Sequence, residues 1–93
     1  MINTKIITIR KKLDYLDNKL LKIIKQRTLL VQRVLNNKTR KNQIIDKKRI
    51  STILKNIKKK SIANNVDPQI TKKIWKSMIS AFIDYEFRNF KKK

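Results

Sequence analysis

Arginine and lysine are the residues of this sequence with the clearest capacity for chemistry, and their numbers are very unequal. The chain has 20 Lys but only six Arg. A guanidinium group can hold a carboxylate through two parallel hydrogen bonds, whereas an ammonium group cannot. An Arg retained against the Lys bias therefore indicates a position where Lys would fail. We interpret Arg33, Arg40 and Arg88 as ordinary surface residues, which leaves Arg10, Arg27 and Arg49 as candidates for binding an anion.

Arg27 and Lys38 are the two cations that interrupt an apolar helical face. One interpretation is that both side chains run along the edge of the core and end in solvent. The other is that both bind an anionic ligand, Arg27 by the two-pronged grip and Lys38 as a point charge. The apolar members of this face follow at helical spacing and are Leu20, Ile24, Val31 and Val34.

Three residue types that support common enzyme chemistry are missing. The chain has no Cys, no His and no Gly. Zinc sites of the His/Cys type, Ser-His and Cys-His nucleophiles, and Gly-rich phosphate loops are therefore excluded. An enzyme of this composition would act through Lys, Arg, carboxylates and amides, by binding and electrostatics, and we expect no metal and no cofactor.

The net charge of +20 has two interpretations. A basic surface can attract nucleic acid or an anionic membrane. However, Lys, Ile and Asn together supply 45 of the 93 residues, and all three have A/U-rich codons, so an AT-rich genome would enrich them together. The basic residues are also scattered rather than clustered. We favour compositional drift and expect no specific nucleic-acid partner, with a basic helical nucleic-acid-binding protein as the alternative.

The first element must be a long helix, because apolar residues recur from 5 to 38 without Pro or Gly. A helix of about 34 residues is about 50 Å long. A compact chain of this length has a radius of gyration of only about 12 Å. The helix would overhang its own domain and leave an apolar stripe exposed, which a second chain could cover. The pattern therefore predicts a homodimer.

Two more helices follow, which predicts an all-α fold in one domain, residues 1–93. Residues 39–45 are predicted to form a loop, with Asp46 as the N-cap of a second helix over 46–64. Asp67 and Pro68 are a helix start signal, and the third helix is expected over 68–90. Lys91–Lys93 are expected to form a frayed tail. No apolar run could span a membrane and the N-terminus does not resemble a signal peptide, so we expect a cytoplasmic protein.

These residues resemble a known family, the all-α chorismate mutases. Residues 9–21 (IRKKLDYLDNKLL) are similar to the family's opening, with an Arg, two hydrophobic–Asp steps and paired leucines. The spacing is kept along nearly the whole chain. The other matching positions are Arg27, Lys38, residues 44–49 (IIDKKR), residues 66–68 (VDP), residues 74–79 (IWKSMI) and Glu86.

The resemblance implies a dimer intertwined through the long first helices, which rearranges chorismate to prephenate in the synthesis of aromatic amino acids. Each site would take Arg10 from the neighbouring chain, and Arg27 would grip a substrate carboxylate. Lys38 and Glu86 would face the ether oxygen whose bond breaks. Asp46 and Arg49 would line the pocket near the ring and its hydroxyl. An association with another enzyme of the aromatic pathway is also possible in this family.

Two positions depart from the family pattern. Ile50 follows Arg49 where a Glu is usual, and Phe82 lies one helical turn before Glu86 where a small residue is common. The first change would remove a hydrogen bond to the substrate hydroxyl, and the second could crowd the pocket. They predict a slower enzyme, with a catalytically impaired regulatory dimer as the alternative.

Overall fold

The structure, a computed structural model, describes residues 3–91 and is all-α over that range. It contains three helices, α1 (Thr4–Asn36), α2 (Lys47–Ala63) and α3 (Pro68–Asn89), with a 3₁₀ turn (Lys41–Gln43) before α2. The predicted all-α class with a long first helix is confirmed. Of the predicted tail, Lys91 follows the end of α3, while Lys92 and Lys93 lie outside the described residues. No helix in residues 3–91 is long and apolar enough to cross a membrane.

Helix α1 has 33 residues, and its N-terminus is capped by Asn3, whose side-chain oxygen accepts from the backbone N–H of Lys5 at 2.8 Å. By its internal contacts the chain divides into two units, one up to Val31 and one from Gln32 onward. The described part of the first unit is Asn3 and α1 as far as Val31. Its apolar side chains are between 44% and 56% exposed at Ile6, Ile9, Leu13, Leu16 and Leu20.

The second unit contains the last turn of α1, the 3₁₀ turn and the hairpin of α2 and α3. Its most buried apolar side chains are Leu35 and Ile44, each 3% exposed. A partly buried hydroxyl pair joins the two hairpin helices: Ser61 Oγ lies 2.7 Å from Thr71 Oγ1 and 2.6 Å from the carbonyl oxygen of Ile57. The pair satisfies polar groups that would otherwise be costly to bury.

The turn between α2 and α3 depends on Asn65. Its φ of 57° is the one positive value in residues 3–91, and the chain has no glycine to take this position. Asn tolerates the left-handed region better than other residues with a Cβ. The backbone N–H groups of Asn65 and Val66 donate to the carbonyls of Ile62 and Ser61, at 3.2 and 2.8 Å. This pattern is a Schellman motif, which satisfies the last carbonyls of α2.

Helix α3 begins as predicted. Asp67 is its N-cap, accepting from the backbone N–H of Gln69 at 2.8 Å, and Pro68 occupies the first turn. Proline has no backbone N–H group, and this costs no hydrogen bond here, because the first N–H groups of a helix have no partner within the helix.

Helix α1 ends earlier than predicted, at Asn36, so Lys38 lies beyond the helix rather than on its apolar face. Two consecutive asparagines favour this end, because Asn side chains compete for backbone hydrogen bonds. Asn37 Nδ2 donates to the carbonyl of Arg33 at 2.8 Å. The N–H of Lys38 then bonds the carbonyl of Leu35, three residues back, at 3.0 Å. The prediction that Lys38 shares one helical face with Arg27 was wrong.

Candidate active site

A partly buried ion pair joins the segment after α1 to the last turns of α3. Lys38 Nζ lies 2.9 Å from Glu86 Oε1, and the two side chains are 18% and 8% exposed. Glu86 is the only glutamate of the chain. A charge taken out of water is strongly destabilising unless it is paired, so each residue accounts for the burial of the other. One interpretation of the sequence was that the Lys38 side chain ends in solvent. The ion pair with Glu86 contradicts that interpretation.

Within residues 3–91 the pair leaves part of the hydrogen-bonding capacity of Lys38 unused. An ammonium group has three N–H donors, and Glu86 takes one. The remaining donors can bind an anion or an oxygen that gains negative charge. A partly buried site strengthens such an interaction, because the surroundings screen charge less than water does.

A second connection next to the pair holds α3 against the end of α1. The hydroxyl of Tyr85, the neighbour of Glu86, donates to Gln32 Oε1 at 2.7 Å. Gln32 Nε2 in turn donates to Asn36 Oδ1 at 2.8 Å. Sequence reasoning missed both Tyr85 and Gln32, because the pairing joins residues 53 positions apart and neither belongs to a motif.

The segment that follows Lys38 is held by the side chain of Gln43. Its Oε1 accepts from the backbone N–H groups of Thr39 and Arg40, at 2.7 and 3.0 Å. Sequence reasoning missed this residue too, and treated 39–45 as a plain loop. A signal was present, since Gln three residues after the start of a helical turn is the second half of a capping box.

The sequence model of the family chorismate mutase type II matches residues 9–87. This chain belongs to that family. Neither the curated proteins nor the solved structures gave a match. The family assigns the chain an isomerase activity, the rearrangement of chorismate to prephenate in aromatic amino-acid biosynthesis.

Asp46 has a structural role at the start of α2. Its carboxylate accepts from the backbone N–H of Arg49 at 2.9 Å, so the predicted N-cap is confirmed. Both side chains are exposed, and Ile50 after them is half-buried. Their contact with substrate, expected from the resemblance to chorismate mutases, stays a prediction.

The two arginines of the resemblance lie on α1, in the unit that ends at Val31. Arg27 is half-buried and its Nε is shielded from solvent, whereas Arg10 is exposed. Phe82, the second departure from the family pattern, is half-buried on α3. Of the predicted site residues the structure brings Lys38 and Glu86 together, and the roles of the others remain predictions.

Proposed function

We propose that chorismate is rearranged beside the Lys38–Glu86 pair, which supplies the electrostatic part of catalysis. The observation that supports this is the partly buried 2.9 Å ion pair formed by the two residues that the resemblance assigns to the ether oxygen. In the rearrangement the carbon–oxygen ether bond breaks and a carbon–carbon bond forms within the same molecule. No group is transferred to the protein, so no nucleophile is needed.

Lys38 is the residue that acts on the transition state. The ether oxygen gains negative charge as its bond breaks, and an N–H donor from the ammonium group then binds it more strongly than in the ground state. Only interactions that strengthen in this way accelerate the chemical step. The remaining donors of Lys38 are preorganised, because Glu86 already holds the ammonium group at 2.9 Å.

Orientation of the substrate is assigned to the arginines. Chorismate is a dianion, and its ring and enolpyruvyl arm must be held in a compact chair for the two carbon atoms to meet. Arg27 would grip one carboxylate, and its half-burial supports such a role. Arg10 would reach the site from a second copy of the chain, in keeping with its exposure in this one.

The second copy is also favoured by the surface of α1. Its exposed apolar side chains run along a helix of 33 residues, about 50 Å at the usual rise. Large exposed apolar patches are typical of interaction surfaces. An intertwined homodimer would cover this stripe and complete both sites. Ile50 and Phe82 would make such an enzyme slower than its relatives.

The test is the loss of chorismate absorbance with purified protein, comparing Lys38→Met with Lys41→Met. Lys41 is an exposed lysine three residues further on and serves as the matched control. We expect Lys38→Met to lower kcat by about 100-fold or more, as for other single donors to a developing oxyanion. Lys41→Met should retain the activity. Equal rates for the two variants, with both folded, would remove Lys38 from the site.

A further inference from the structure

Gln43 connects a fixed point of the fold to the backbone next to Lys38. It precedes Ile44, which is 3% exposed and whose N–H bonds the carbonyl of Lys41 at 3.1 Å. The backbone of Gln43 is therefore anchored in the second unit. Its side chain extends back along the chain, and one amide oxygen accepts from two consecutive N–H groups, those of Thr39 at 2.7 Å and Arg40 at 3.0 Å.

Three hydrogen bonds therefore restrain Lys38 and the backbone beside it. Its own N–H bonds the carbonyl of buried Leu35 at 3.0 Å, and its ammonium group bonds Glu86 at 2.9 Å. The third constraint is the N–H of the next residue, which Gln43 holds. A lysine side chain has four flexible carbons, so the position of its ammonium group depends on how well the backbone beneath it is fixed.

The surroundings of the Gln43 contact indicate that it fixes the position of the segment more than it stabilises the fold. Thr39 and Arg40 are exposed, so water can replace the amide oxygen as acceptor for their N–H groups. Water cannot keep the segment in one place. Displacement of a catalytic group by about 1 Å can lower a rate by about 100-fold.

We infer that Gln43 is a positioning residue for the rearrangement, acting through Lys38 and without contact to the substrate. The inference rests on the proposed role of Lys38. It implies that the rate of catalysis depends on the segment between α1 and the 3₁₀ turn, residues 37–40. Of these residues, the family motif includes only Lys38.

The test compares three variants of the full chain that differ in the acceptor. Gln43→Met keeps the length of the side chain but removes the oxygen, and Gln43→Asn keeps the amide but is one carbon too short. Gln43→Glu keeps both length and an acceptor oxygen. We expect the first two to lower kcat by about 10- to 100-fold with little change in KM, and the third to stay near the unchanged protein. Asn42→Met, at the exposed neighbour in the same turn, is the matched control and should have no effect.

Thermal unfolding of each variant separates position from stability. A merely structural role would lower Tm while leaving kcat per folded molecule unchanged, and that result would overturn the inference. So would a Gln43→Glu protein as slow as Gln43→Met. If Gln43→Met does not fold, the comparison of Gln43→Asn with Gln43→Glu decides the matter by the same criteria.

A double variant distinguishes this inference from the proposal on which it rests. In a Lys38→Ala protein, which should itself be slow, adding Gln43→Met should lower kcat no further, because the residue it positions is gone. Losses that multiply would show that Gln43 acts by another route and would overturn the inference. A Lys38→Ala protein with undiminished kcat would instead contradict the proposed function.

Discussion

At the scale of single residues, the site depends on the few groups whose chemistry a lysine-rich chain cannot replace. The chain has six acidic and 26 basic residues, yet its only glutamate is 6% exposed and is hydrogen-bonded to Lys38. With so many cations on the surface, a carboxylate has many possible partners in solvent. Its burial against one particular lysine is therefore a specific arrangement and not a consequence of composition.

The first prediction concerns Arg27. Arg27→Lys keeps the charge but removes the planar pair of donors. Loss of one hydrogen bond to a charged group costs about 1.5–3 kcal/mol, so kcat/KM should fall roughly 10- to 100-fold. Arg33→Lys, at an exposed position of the same helix, should change it by no more than about twofold. Similar losses for the two variants, measured by chorismate consumption, would show that Arg27 does not bind the substrate.

The second prediction concerns the carboxylate of Glu86. The ether oxygen accepts hydrogen bonds, so an ionised carboxylate facing it repels the developing charge, and Glu86 can donate only when protonated. Because Oε1 accepts from Lys38, Oε2 is the oxygen left to face the ether oxygen. Replacing the carboxylate by an amide, which offers a donor in its place, should therefore raise kcat.

Glu86→Gln provides the comparison for this prediction. The amide oxygen can still accept from Lys38, while the amide nitrogen donates at every pH. The variant should therefore have a higher kcat than the unchanged protein, measured by chorismate consumption. An unchanged or lower kcat in a folded variant would remove Glu86 from the catalytic residues and leave it as the buried partner of Lys38.

At the scale of elements, helix starts could be predicted from the sequence better than helix ends. Asp46 and Asp67 were both identified as N-caps, because one side chain and one backbone N–H define the motif locally. The end of α1 was misplaced, since apolar spacing continues through Val34 and gives no signal for the turn at Asn37. The 3₁₀ turn was missed because a three-residue element has no periodicity, although Gln43 supplied a capping signal.

Only those residues of the site that belong to a family motif could be predicted from the sequence. Lys38 and Glu86 were assigned to one place by resemblance, and the structure brings them together. The contact of Tyr85 with Gln32 belongs to no motif. Such contacts depend on how the helices and turns pack, which residue spacing along the chain does not specify.

The third prediction concerns the turn between α2 and α3. Asn65→Ala places a residue with a Cβ and no local hydrogen bonding at φ 57°, which should lower the free energy of unfolding by about 1–2 kcal/mol. The control is Asn56→Ala, an exposed position within α2, where alanine is the better helix former and the same change should raise it by up to about 0.7 kcal/mol. Urea unfolding measures both, and shifts of the same sign would contradict the account of the turn.

At the scale of the whole molecule, the proposed function needs two chains in each site. The exposed stripe of α1 favours a dimer, and we propose, from the resemblance to chorismate mutases, that Arg10 enters the site of the neighbouring chain. Sedimentation at micromolar concentration should therefore show a dimer. A dimer by itself would cover the apolar surface but would not show that residues are shared, so the sharing needs a separate test.

The last prediction is that two inactive variants restore activity when they form mixed dimers. In a dimer of one Arg10→Ala chain and one Arg27→Ala chain, one composite site receives both arginines and the other receives neither. If the two chains associate at random, half of the dimers are mixed, so activity should reach about a quarter of that of the unchanged protein. Coexpression followed by native mass measurement confirms the mixed species, and each variant expressed alone is the control. Mixed dimers with no more activity than either variant alone would show that each site takes both arginines from one chain.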